Sequence, residues 1–594
     1  MKIVIRADAS FQIGQGHIMR CLALAEVMND KGAEVHFICR NLPGFDMETI
    51  SGQGFSVHLL PGFGTPVIPE IERNGLAHTE WLPCSQEKDA LDCLRVMEPL
   101  LPIDWVVVDH YCLDGTWEQL VGSFSKKLFV LDDLADRVHC CDFLLDQACM
   151  PGMDKRYAGL IPSDCRLVLG SDYALLRPEF VTERQHLDLN EGDVRRVLIF
   201  FGGADNQKET VKILEALKTV DRSDIAVDVV IGRFNPDREE IERLVDRMPN
   251  VTKHLYVREM AELIAKSDLA IGAGGMSVYE RCCMGVPSFV VIQAENQHET
   301  GRRIQESKAG WHLGRAEELS KEVLAEHFNR ILSSPEELKS CSRNAFNLVD
   351  GRGTFRVAEL MGQADLEQGG DKDRDFFSLA AVTDQDSWIN DYLAVLFSIL
   401  DHKGVRARWV HRIGELKDED VVFYLGCSQK IPRSVLLRHQ HNLVVHESAL
   451  PRGRGWSPMT WQVLEGKDSI PIVLFEAGEK IDSGPVYLKR EFHFKGHELV
   501  SELRVVQAVH TMLLCLDFVN GYPEVIERAE HQKGQPSFYP RRGPRDSCID
   551  PDKSIREQFH LFRVADNTRY PVWFEMNGKK YLLRIEKNMQ SDET

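Results

Sequence analysis

Short apolar runs that alternate with helical patterns dominate the first ~360 residues of this 594-residue chain. The early runs are Lys2–Ile5, Glu34–Cys39, Trp105–Asp109 and Lys127–Leu131. Such alternation is typical of a parallel β-sheet with crossover helices. A second alternating set begins near Arg195. The pattern therefore predicts an α/β chain with two successive parallel-sheet units.

The turn after the first apolar run carries glycines and a histidine. Gly14 and Gly16 precede His17, and the amphipathic segment Cys21–Asn29 follows. A strand that leads through glycines into a helix presents unpaired backbone N–H groups, which favour anionic groups such as phosphate. Histidine is the side chain best placed to take up a proton near neutral pH. His17 is therefore a candidate general base; the alternative is a partly buried residue beside a helix cap.

Acidic and aromatic side chains follow two further strands of the first unit. Asp109, His110 and Tyr111 end one apolar run, and Asp132 and Asp133 follow the next. Ligands of parallel sheets bind at the carboxyl ends of the strands, so these positions favour a functional role. The two aspartates are either a carboxylate pair for proton transfer or loop carboxylates that cap a neighbouring turn.

The second unit has two turns of the same kind. Gly203 and Asp205 follow the run that ends at Phe201, and residues 274–277 lead into a helical pattern with Glu280 one turn in. Glycines and a serine at a helix start suit a diphosphate, and a carboxylate one turn on can accept hydrogen bonds from ribose hydroxyls. The alternative for Glu280 is a first-turn acid that the helix dipole favours. Two such units imply a ligand held in the cleft between them.

Composition and charge narrow the classes of function. Hydrophobic residues make up 43% and charged residues 27% of the chain, as in soluble globular proteins. The formal net charge of −20 argues against a nucleic-acid-binding surface and favours a small substrate. The 15 cysteines include no CxxC spacing, which predicts a reduced, cytoplasmic protein and no metal site. No charged-then-apolar leader and no run near the ~18 apolar residues of a membrane span is found, so we expect neither export nor membrane insertion.

A third α/β unit follows a polar stretch. Residues 363–375 (QADLEQGGDKDRD) are highly charged and contain glycine, which indicates a linker. Beyond them, the apolar run Leu443–Val445 leads to His446, and Asp482 lies in a later turn. A loop carboxylate and a strand-end histidine can form a proton-transfer pair. The alternative for Asp482 is a residue that only forms the turn.

The ordered motifs of the first 361 residues resemble one known family. They are Arg6–Ser10, Ile13–His17, Val108–Tyr111, Leu131–Asp133, Gly170–Arg177, Phe201–Asp205, Gly274–Ser277 and Val349–Gly353. This part is similar to the nucleotide-sugar hydrolases of pseudaminic acid biosynthesis, which remove UDP from UDP-2,4-diacetamido-2,4,6-trideoxy-β-L-altropyranose. That family is related to the GT-B glycosyltransferases, which have two Rossmann-like domains. The resemblance implies that His17 is the general base for attack of water on the anomeric carbon, with inversion, and that the second domain holds UDP.

The same resemblance implies substrate contacts from both domains and no metal. The implied substrate-binding residues are Arg6, Asp8, Gly14, Gly16, Asp109, His110, Tyr111, Asp133 and Tyr173 in the first domain, and Gly203, Asp205, Gly275, Met276, Ser277, Glu280 and Asn296 in the second.

Motifs of the third unit resemble a second family. Val445–Pro451, Arg454–Pro458 and Ile481–Pro485 are similar to the formyltransferases that use N10-formyltetrahydrofolate, which include methionyl-tRNA formyltransferase and the sugar N-formyltransferases. The resemblance implies that His446 and Asp482 are catalytic and that N10-formyltetrahydrofolate is the co-substrate. The family usually carries Asn two residues before the histidine, where this chain has Val444. Asn442 is the candidate to support formyl transfer in its place.

These observations together predict a bifunctional cytoplasmic enzyme of nonulosonic acid biosynthesis. We expect the C-terminal part to formylate the 4-amino group of a UDP-4-amino-4,6-dideoxy-2-acetamido-altrose-type sugar, and the N-terminal part then to remove UDP. The alternative is a GT-B glycosyltransferase whose C-terminal domain only binds a sugar nucleotide or a partner. Oligomerisation is left open.

The expected boundaries follow from the same patterns. They are a Rossmann-like hydrolase domain at 1–180, a UDP-binding Rossmann-like domain at 181–362, a linker at 363–375, a formyltransferase domain at 376–535 and a short β-rich appendage at 536–594.

Overall fold

The first sheet is parallel throughout and is buried on both faces. The computed structural model describes residues 1–62, 78–148, 152–203, 205, 208–220, 222–233, 235–255, 257, 259–366 and 377–587. The strands are β1 (Lys2–Ala7), β2 (Glu34–Arg40), β3 (Ser56–Leu60), β4 (Ile103–Asp109), β5 (Ser125–Leu131), β6 (Phe143–Asp146) and β7 (Arg166–Leu169), in the order β3-β2-β1-β4-β5-β6-β7. Burial on both faces explains why the central strands read as continuous apolar runs.

Helices cover this sheet and connect its strands. They are α1 (Gly16–Asp30), α2 (Glu48–Ser51), α3 (Gln86–Met97), α4 (Gly115–Gly122) and α5 (Met153–Arg156). The next helix, α6 (Pro178–Arg184), follows β7 and packs against helices of the second unit. Helix α1 begins directly after the glycine turn, at the carboxyl end of β1. The turn needs glycine at position 14, because the backbone there has φ of +77°, a conformation that other residues rarely adopt.

The second unit repeats the parallel arrangement. Its strands are β8 (Arg196–Phe200), β9 (Ala226–Ile231), β10 (Val251–Leu255), β11 (Leu269–Ala273), β12 (Ser288–Ile292) and β13 (Gly310–Arg315), in the order β10-β9-β8-β11-β12-β13. Its helices are α7 (Glu209–Thr219), α8 (Arg238–Val245), α9 (Met260–Ala265), α10 (Ser277–Cys283), α11 (His298–Glu306), α12 (Lys321–Leu332) and α13 (Pro335–Leu348).

A further helix, α14 (Gly353–Leu366), returns from the second unit to the first. It contacts α1, and Val357, Ala358 and Met361 belong to the same apolar core as β1. Residues 363–366, the first part of the expected linker, are helical here. The rest of that linker lies outside the described residues.

The third unit contains a mixed sheet. The remaining strands are β14 (Leu379–Val382), β15 (Ala407–Val410), β16 (Val421–Tyr424), β17 (His441–His446), β18 (Arg454–Gly455), β19 (Ser469–Glu476), β20 (Val486–His493), β21 (Phe538–Tyr539), β22 (Val572–Met576) and β23 (Lys579–Leu583). The sheet order is β15-β14-β16-β17-β19-β20, parallel up to β17 and antiparallel beyond it. Strand β18 pairs with β21, and β22 pairs with β23 as a small antiparallel sheet.

Helices of the third unit pack against the first unit. The helices are α15 (Asn390–His402), α16 (Arg433–Leu436), α17 (Pro458–Leu464), α18 (Val500–Gly521), α19 (Glu524–Glu527) and α20 (Phe559–Arg563). Helix α18 contacts α3 and α4, and α15 contacts α3. One apolar cluster includes buried residues of all four helices.

The predicted fold class is confirmed. Two parallel-sheet units are followed by a third α/β unit with a small antiparallel sheet close to its C-terminal end. Within the described ranges, no helix has the length and apolar character that a membrane crossing requires.

Candidate active sites

The glycine turns of the first two units face each other across a cleft. A Cβ atom at Gly16 would lie 3.9 Å from Cγ of Met276, and one at Gly203 would lie 3.5 Å from Cγ of Gln15. Gln147 at the carboxyl end of β6 also contacts Met276, with 2.5 Å between Nε2 and Sδ. The structure therefore brings Gln15 and Gly16 of the first unit together with Gly203 and Met276 of the second. Gly14 lies in the same turn, directly before Gln15.

His17 is held by a buried carboxylate at this cleft. It lies in the first turn of α1, and its Nδ1 is 2.6 Å from Oδ1 of Asp109 at the end of β4. Arg20 contacts both carboxylate oxygens, with Nε 2.6 Å from Oδ2 and Nη2 2.6 Å from Oδ1. Burial alone would raise the pKa of Asp109, but the charges of Arg20 and His17 hold it well below its usual range.

The charge of Asp109 determines the tautomer of His17. An ionised carboxylate only accepts hydrogen bonds, so neutral His17 donates from Nδ1 and keeps its lone pair on Nε2. Among the described residues, Nε2 has no hydrogen-bond partner. This is the arrangement of a general base whose orientation is set by a second group.

Arg20 extends the site to a second carboxylate. Its Nη1 lies 2.5 Å from Oδ2 of Asp133, which also accepts a hydrogen bond of 2.9 Å from the hydroxyl of Tyr111. The other oxygen of Asp133 is buried without a partner in the described part of the chain. Asp133 is therefore a candidate acceptor for a donor group of a ligand.

Aromatic rings enclose His17. The centroid of its ring lies 4.7 Å from Tyr111 and 5.8 Å from Trp81, both edge to face. Trp81 stacks on Tyr111 with 5.5 Å between centroids. Two aromatic rings thus flank the imidazole. Trp81 and Arg20 were missed from the sequence, although Arg20 follows His17 by three residues and so shares its helix face.

Arg6 and Asp8 lie behind the site and not on its surface. The guanidinium of Arg6 binds Asp8 with nitrogen–oxygen distances of 2.5 and 2.8 Å and also binds Asp89. His110 directs Nε2 towards Asp8 at 3.3 Å. All four side chains are buried. This placement differs from the expected substrate contacts, because the charged atoms are already paired inside the unit.

Asp132 also has structural partners. Arg137 Nη1 lies 2.8 Å from its Oδ1, and the backbone of Ala135 donates to its Oδ2 at 2.8 Å. Of the two adjacent aspartates, Asp132 therefore caps the turn, and Asp133 reaches the site through Arg20.

The second unit places its predicted residues less uniformly. Asp205 caps α7, because its two oxygens accept hydrogen bonds from the backbone of Glu209 at 3.0 Å and Thr210 at 2.9 Å. This cap, with a further bond from Gln293, differs from the expected substrate contact. Glu280 lies in the first turn of α10 and remains partly exposed, and burial raises its pKa.

The remaining predicted residues of the cleft are placed as follows. Gly275 precedes α10, and Ser277 begins it and accepts a hydrogen bond of 3.1 Å from Arg281. Asn296 lies in the short helix Glu295–Gln297. Tyr173 lies in the short helix Ser171–Tyr173, which contacts α14. The side chain of Asn296 lies outside what the structure describes.

A second site lies at the end of β17 in the third unit. Nε2 of His446 lies 2.8 Å from the carbonyl oxygen of Gly453 and 3.9 Å from Oδ2 of Asp482. A carbonyl oxygen can only accept, so Nε2 carries a proton and neutral His446 has its lone pair on Nδ1. Asp482 accepts a hydrogen bond of 2.8 Å from the backbone of Gly455. The structure thus brings His446 and Asp482 together, as the sequence predicts.

Asn442 does not join this site. It lies four residues before His446, which corresponds to ~13 Å along an extended strand. Its amide oxygen accepts from the hydroxyl of Tyr424 at 3.1 Å, and its amide nitrogen donates to the carbonyl of Leu436 at 3.0 Å. Val444, the position nearer His446, packs against apolar neighbours.

Comparisons with known proteins divide the chain in the same way. Residues 197–355 match the model of the glycosyltransferase family 28 C-terminal domain. The spore coat polysaccharide biosynthesis protein SpsG of Bacillus subtilis is 32% identical over 209 residues, 35% of this chain and 61% of that protein. The UDP-2,4-diacetamido-2,4,6-trideoxy-beta-L-altropyranose hydrolase of Campylobacter jejuni is 24% identical over 302 residues, 50% of this chain and 94% of that protein.

A third relative belongs to another class. The methionyl-tRNA formyltransferase of Pseudothermotoga lettingae is 32% identical over 125 residues, 21% of this chain and 40% of that protein. The chain joins a hydrolase-like part to a formyltransferase-like part. The match to SpsG, like that to the formyltransferase, covers less than two thirds of the relative's own length.

Proposed function

We propose that this chain is a bifunctional enzyme of nonulosonic acid biosynthesis. Its third unit N-formylates the 4-amino group of a UDP-4-amino-4,6-dideoxy-2-acetamido-altrose-type sugar, and its first two units then remove UDP by hydrolysis. The hydrogen bond from His17 to the ionised Asp109 carries the proposal for the hydrolase. It leaves a basic nitrogen at a cleft lined by glycine turns, where a diphosphate is favoured.

In the hydrolase, Nε2 of His17 takes a proton from water as the oxygen attacks the anomeric carbon. The glycosyl carbon–oxygen bond breaks, UDP leaves, and attack from the opposite face inverts the anomeric centre. Asp109 stabilises the imidazolium that forms and stays ionised because Arg20 binds both of its oxygens. The turns around Gly203 and residues 275–277, with Glu280, hold the UDP group from the second unit.

In the formyltransferase, N10-formyltetrahydrofolate supplies the formyl group when it is bound. As the sugar nitrogen bonds to the formyl carbon, the bond from that carbon to N10 breaks and tetrahydrofolate leaves. Nδ1 of His446 accepts the proton that the amine loses, and an equivalent proton passes to N10 of the leaving tetrahydrofolate. Asp482 and the Gly453 carbonyl keep the other ring nitrogen protonated and fix the ring. These residues fit this role, because both hydrogen-bond acceptors, the Gly453 carbonyl and the Asp482 carboxylate, lie on the Nε2 side of the imidazole.

The order of the two reactions depends on how the third unit recognises its substrate. If the third unit binds its substrate through UDP, formylation must come before UDP is removed. The hydrolase then acts on the formamido product. Localisation in the cytoplasm suits both nucleotide-sugar and folate substrates.

One experiment tests both activities. The purified protein is incubated with the UDP-amino-sugar, with and without N10-formyltetrahydrofolate, and products are followed by mass spectrometry. We expect a folate-dependent mass gain of one formyl group, then release of UDP without any added acceptor.

The His17→Ala variant separates binding from chemistry. Removal of a general base typically lowers the rate by about 10²–10⁴, so UDP release should be lost while UDP binding and formylation persist. Near-normal UDP release by this variant would exclude His17 as the base.

A glycosyltransferase remains the second candidate, because residues 197–355 match a glycosyltransferase domain model. In that case the sugar passes to an acceptor hydroxyl, and the third unit only binds a sugar nucleotide or a partner. UDP release that requires an added acceptor, with no folate-dependent mass gain, would favour this function.

A further inference from the structure

Two cysteines of the first unit face each other away from the cleft residues. Cys141 lies two residues before β6, and Cys165 lies directly before β7. Their Sγ atoms are 3.6 Å apart. The strands that follow are parallel neighbours, with Phe143 paired to Arg166. The two thiols are therefore in contact although 24 residues separate them in the sequence.

The backbone keeps the two segments together. The N–H of Arg166 donates to the carbonyl of Asp142 at 2.8 Å, one residue after each cysteine. A disulfide has a sulfur–sulfur distance of ~2.05 Å, so the sulfur atoms must approach by only about 1.5 Å. The backbone already holds both residues beside the first residues of paired strands, so the change required is one of the side chains.

The two thiols differ in access and acidity. Cys141 is buried, whereas Cys165 is half-buried and so can meet a reagent from solvent. The hydrogen bond from the Cys141 thiol lowers the pKa of Cys165. The thiolate is the nucleophile in exchange with disulfides. Cys165 is therefore the sulfur that reacts first, and Cys141 is the one that resolves.

We propose that Cys141 and Cys165 form a reversible disulfide by exchange with a small disulfide oxidant such as oxidised glutathione. The Cys165 thiolate attacks one sulfur of glutathione disulfide, whose sulfur–sulfur bond breaks and releases one glutathione thiolate. The Cys141 thiolate then attacks the Cys165 sulfur and releases the second glutathione. The two cysteine protons pass to the released thiolates, so the protein is oxidised and one glutathione disulfide is reduced to two glutathiones.

The cross-link would close the loop between Cys141 and Cys165, which are 24 residues apart in the sequence. This loop contains β6 and α5. Closing a loop of this length restricts the unfolded chain, so the oxidised protein should unfold at a higher temperature. The ion pair of Arg20 with Asp133 lies outside this loop and should persist.

The test uses the full-length protein incubated with oxidised glutathione and digested without reduction. Mass spectrometry should find a peptide cross-linked between residues 141 and 165, about 2 Da lighter than the two reduced peptides, which a dithiol reductant reverses. Cys140 is adjacent, exposed and the matched control. Cys140→Ser should leave the cross-link unchanged.

Two further variants test which cysteine reacts first and which one completes the disulfide. Cys141→Ser should leave a stable glutathione adduct on Cys165, and Cys165→Ser should leave Cys141 reduced. A cross-link that Cys140→Ser abolishes would overturn the proposal, and so would glutathione adducts at Cys165 of the unmodified chain with Cys141 still reduced. An unreacted Cys165 under conditions that modify Cys140 would overturn it as well.

Discussion

At the scale of single residues, the candidate hydrolase site depends on how one carboxylate is shared. Asp109 contacts both the ring of His17 and the guanidinium of Arg20. Arginine keeps the carboxylate ionised, and the carboxylate keeps the basic nitrogen of His17 directed away from it. The three residues therefore act as one hydrogen-bonded group, and loss of Asp109 would remove the partner that both His17 and Arg20 contact.

The Asp109→Asn variant tests this coupling. An amide can donate to Nδ1, which would move the proton of His17 to Nε2 and remove the base from the cleft. We expect UDP release to fall about 10²–10⁴-fold with little change in the Michaelis constant. Asp104→Asn is the control, since Asp104 lies at the other end of β4. Equal losses in both variants would indicate a folding defect instead.

His139 predicts how stability depends on pH. Its Nδ1 lies 2.7 Å from Glu118, and Asp132 lies on its other side at 3.6 Å. Burial lowers its pKa, but the two carboxylates outweigh burial and raise the value from 6.5 to about 9. The charged form therefore stabilises the fold fully below about pH 6.5, and that stabilisation is lost as pH rises through about 9.

The shift corresponds to about 3 kcal/mol at ~1.4 kcal/mol per pKa unit. His139→Gln should lower the thermal midpoint of the first unit at about pH 6 much more than at about pH 9. Midpoints are the suitable measurement, since a chain of several units does not unfold in one step. An equal decrease at both pH values would mean that His139 is neutral in the fold.

At the scale of elements, the loop between β19 and β20 places Asp482 beside His446 in the second site. Asp482 in this loop has φ of +47°, in the left-handed region that Asp and Asn tolerate better than most residues. The loop holds its carboxylate 3.9 Å from His446 and bonded to the N–H of Gly455. The side chain thus supports the histidine at the end of β17 and the loop that follows it.

Asp482→Asn separates the charge from the backbone requirement. Asparagine keeps the left-handed backbone and can still accept from Gly455, but it cannot stabilise a charged imidazole. We expect formylation to fall about 10²-fold, with hydrolysis of an already acylated UDP-sugar unchanged. Asp420→Asn, in the same unit and bonded to Ser378, is the matched control. Unchanged formylation in Asp482→Asn would remove Asp482 from the mechanism.

At the scale of the whole molecule, the formyltransferase-like unit is packed onto the hydrolase-like unit. Nε2 of His510 on α18 lies 3.6 Å from Glu87 on α3, and both side chains are largely buried. Gln119 on α4 binds both Arg490 and Asp517. These contacts associate the two units more closely than a polar linker alone would, because they remove charged and apolar groups of both units from water.

Fragments 1–366 and 377–594 test the value of this interface. Each contains its own sheets and should keep its activity. We expect fragment 1–366 to unfold several degrees below the full chain, because the α3–α4 face loses its cover. Added fragment 377–594 should restore part of the difference. An identical midpoint for the fragment and the full chain would show that the interface contributes nothing.

The sequence by itself determined the elements with a strong local signal. The runs at β1, β4, β5, β8 and β11 are apolar for a continuous stretch, because both faces of a parallel sheet are buried. Likewise His17, His446 and Asp482 could be found, because each stands directly at a turn with recognisable chemistry. The fold class, which follows from the order of such elements, was therefore predictable.

Only the tertiary structure decided which polar residues face a ligand. Asp8, Asp205 and Asn442 match functional patterns, yet Asp8 and Asn442 already contact partners distant in sequence, and Asp205 caps a helix. Trp81 reaches His17 through space, and α18 meets α3 after a separation of about 400 residues. Local sequence encodes secondary-structure propensity and the spacing of buried residues along each element. Contacts between distant segments depend instead on how whole units pack, which no local pattern specifies.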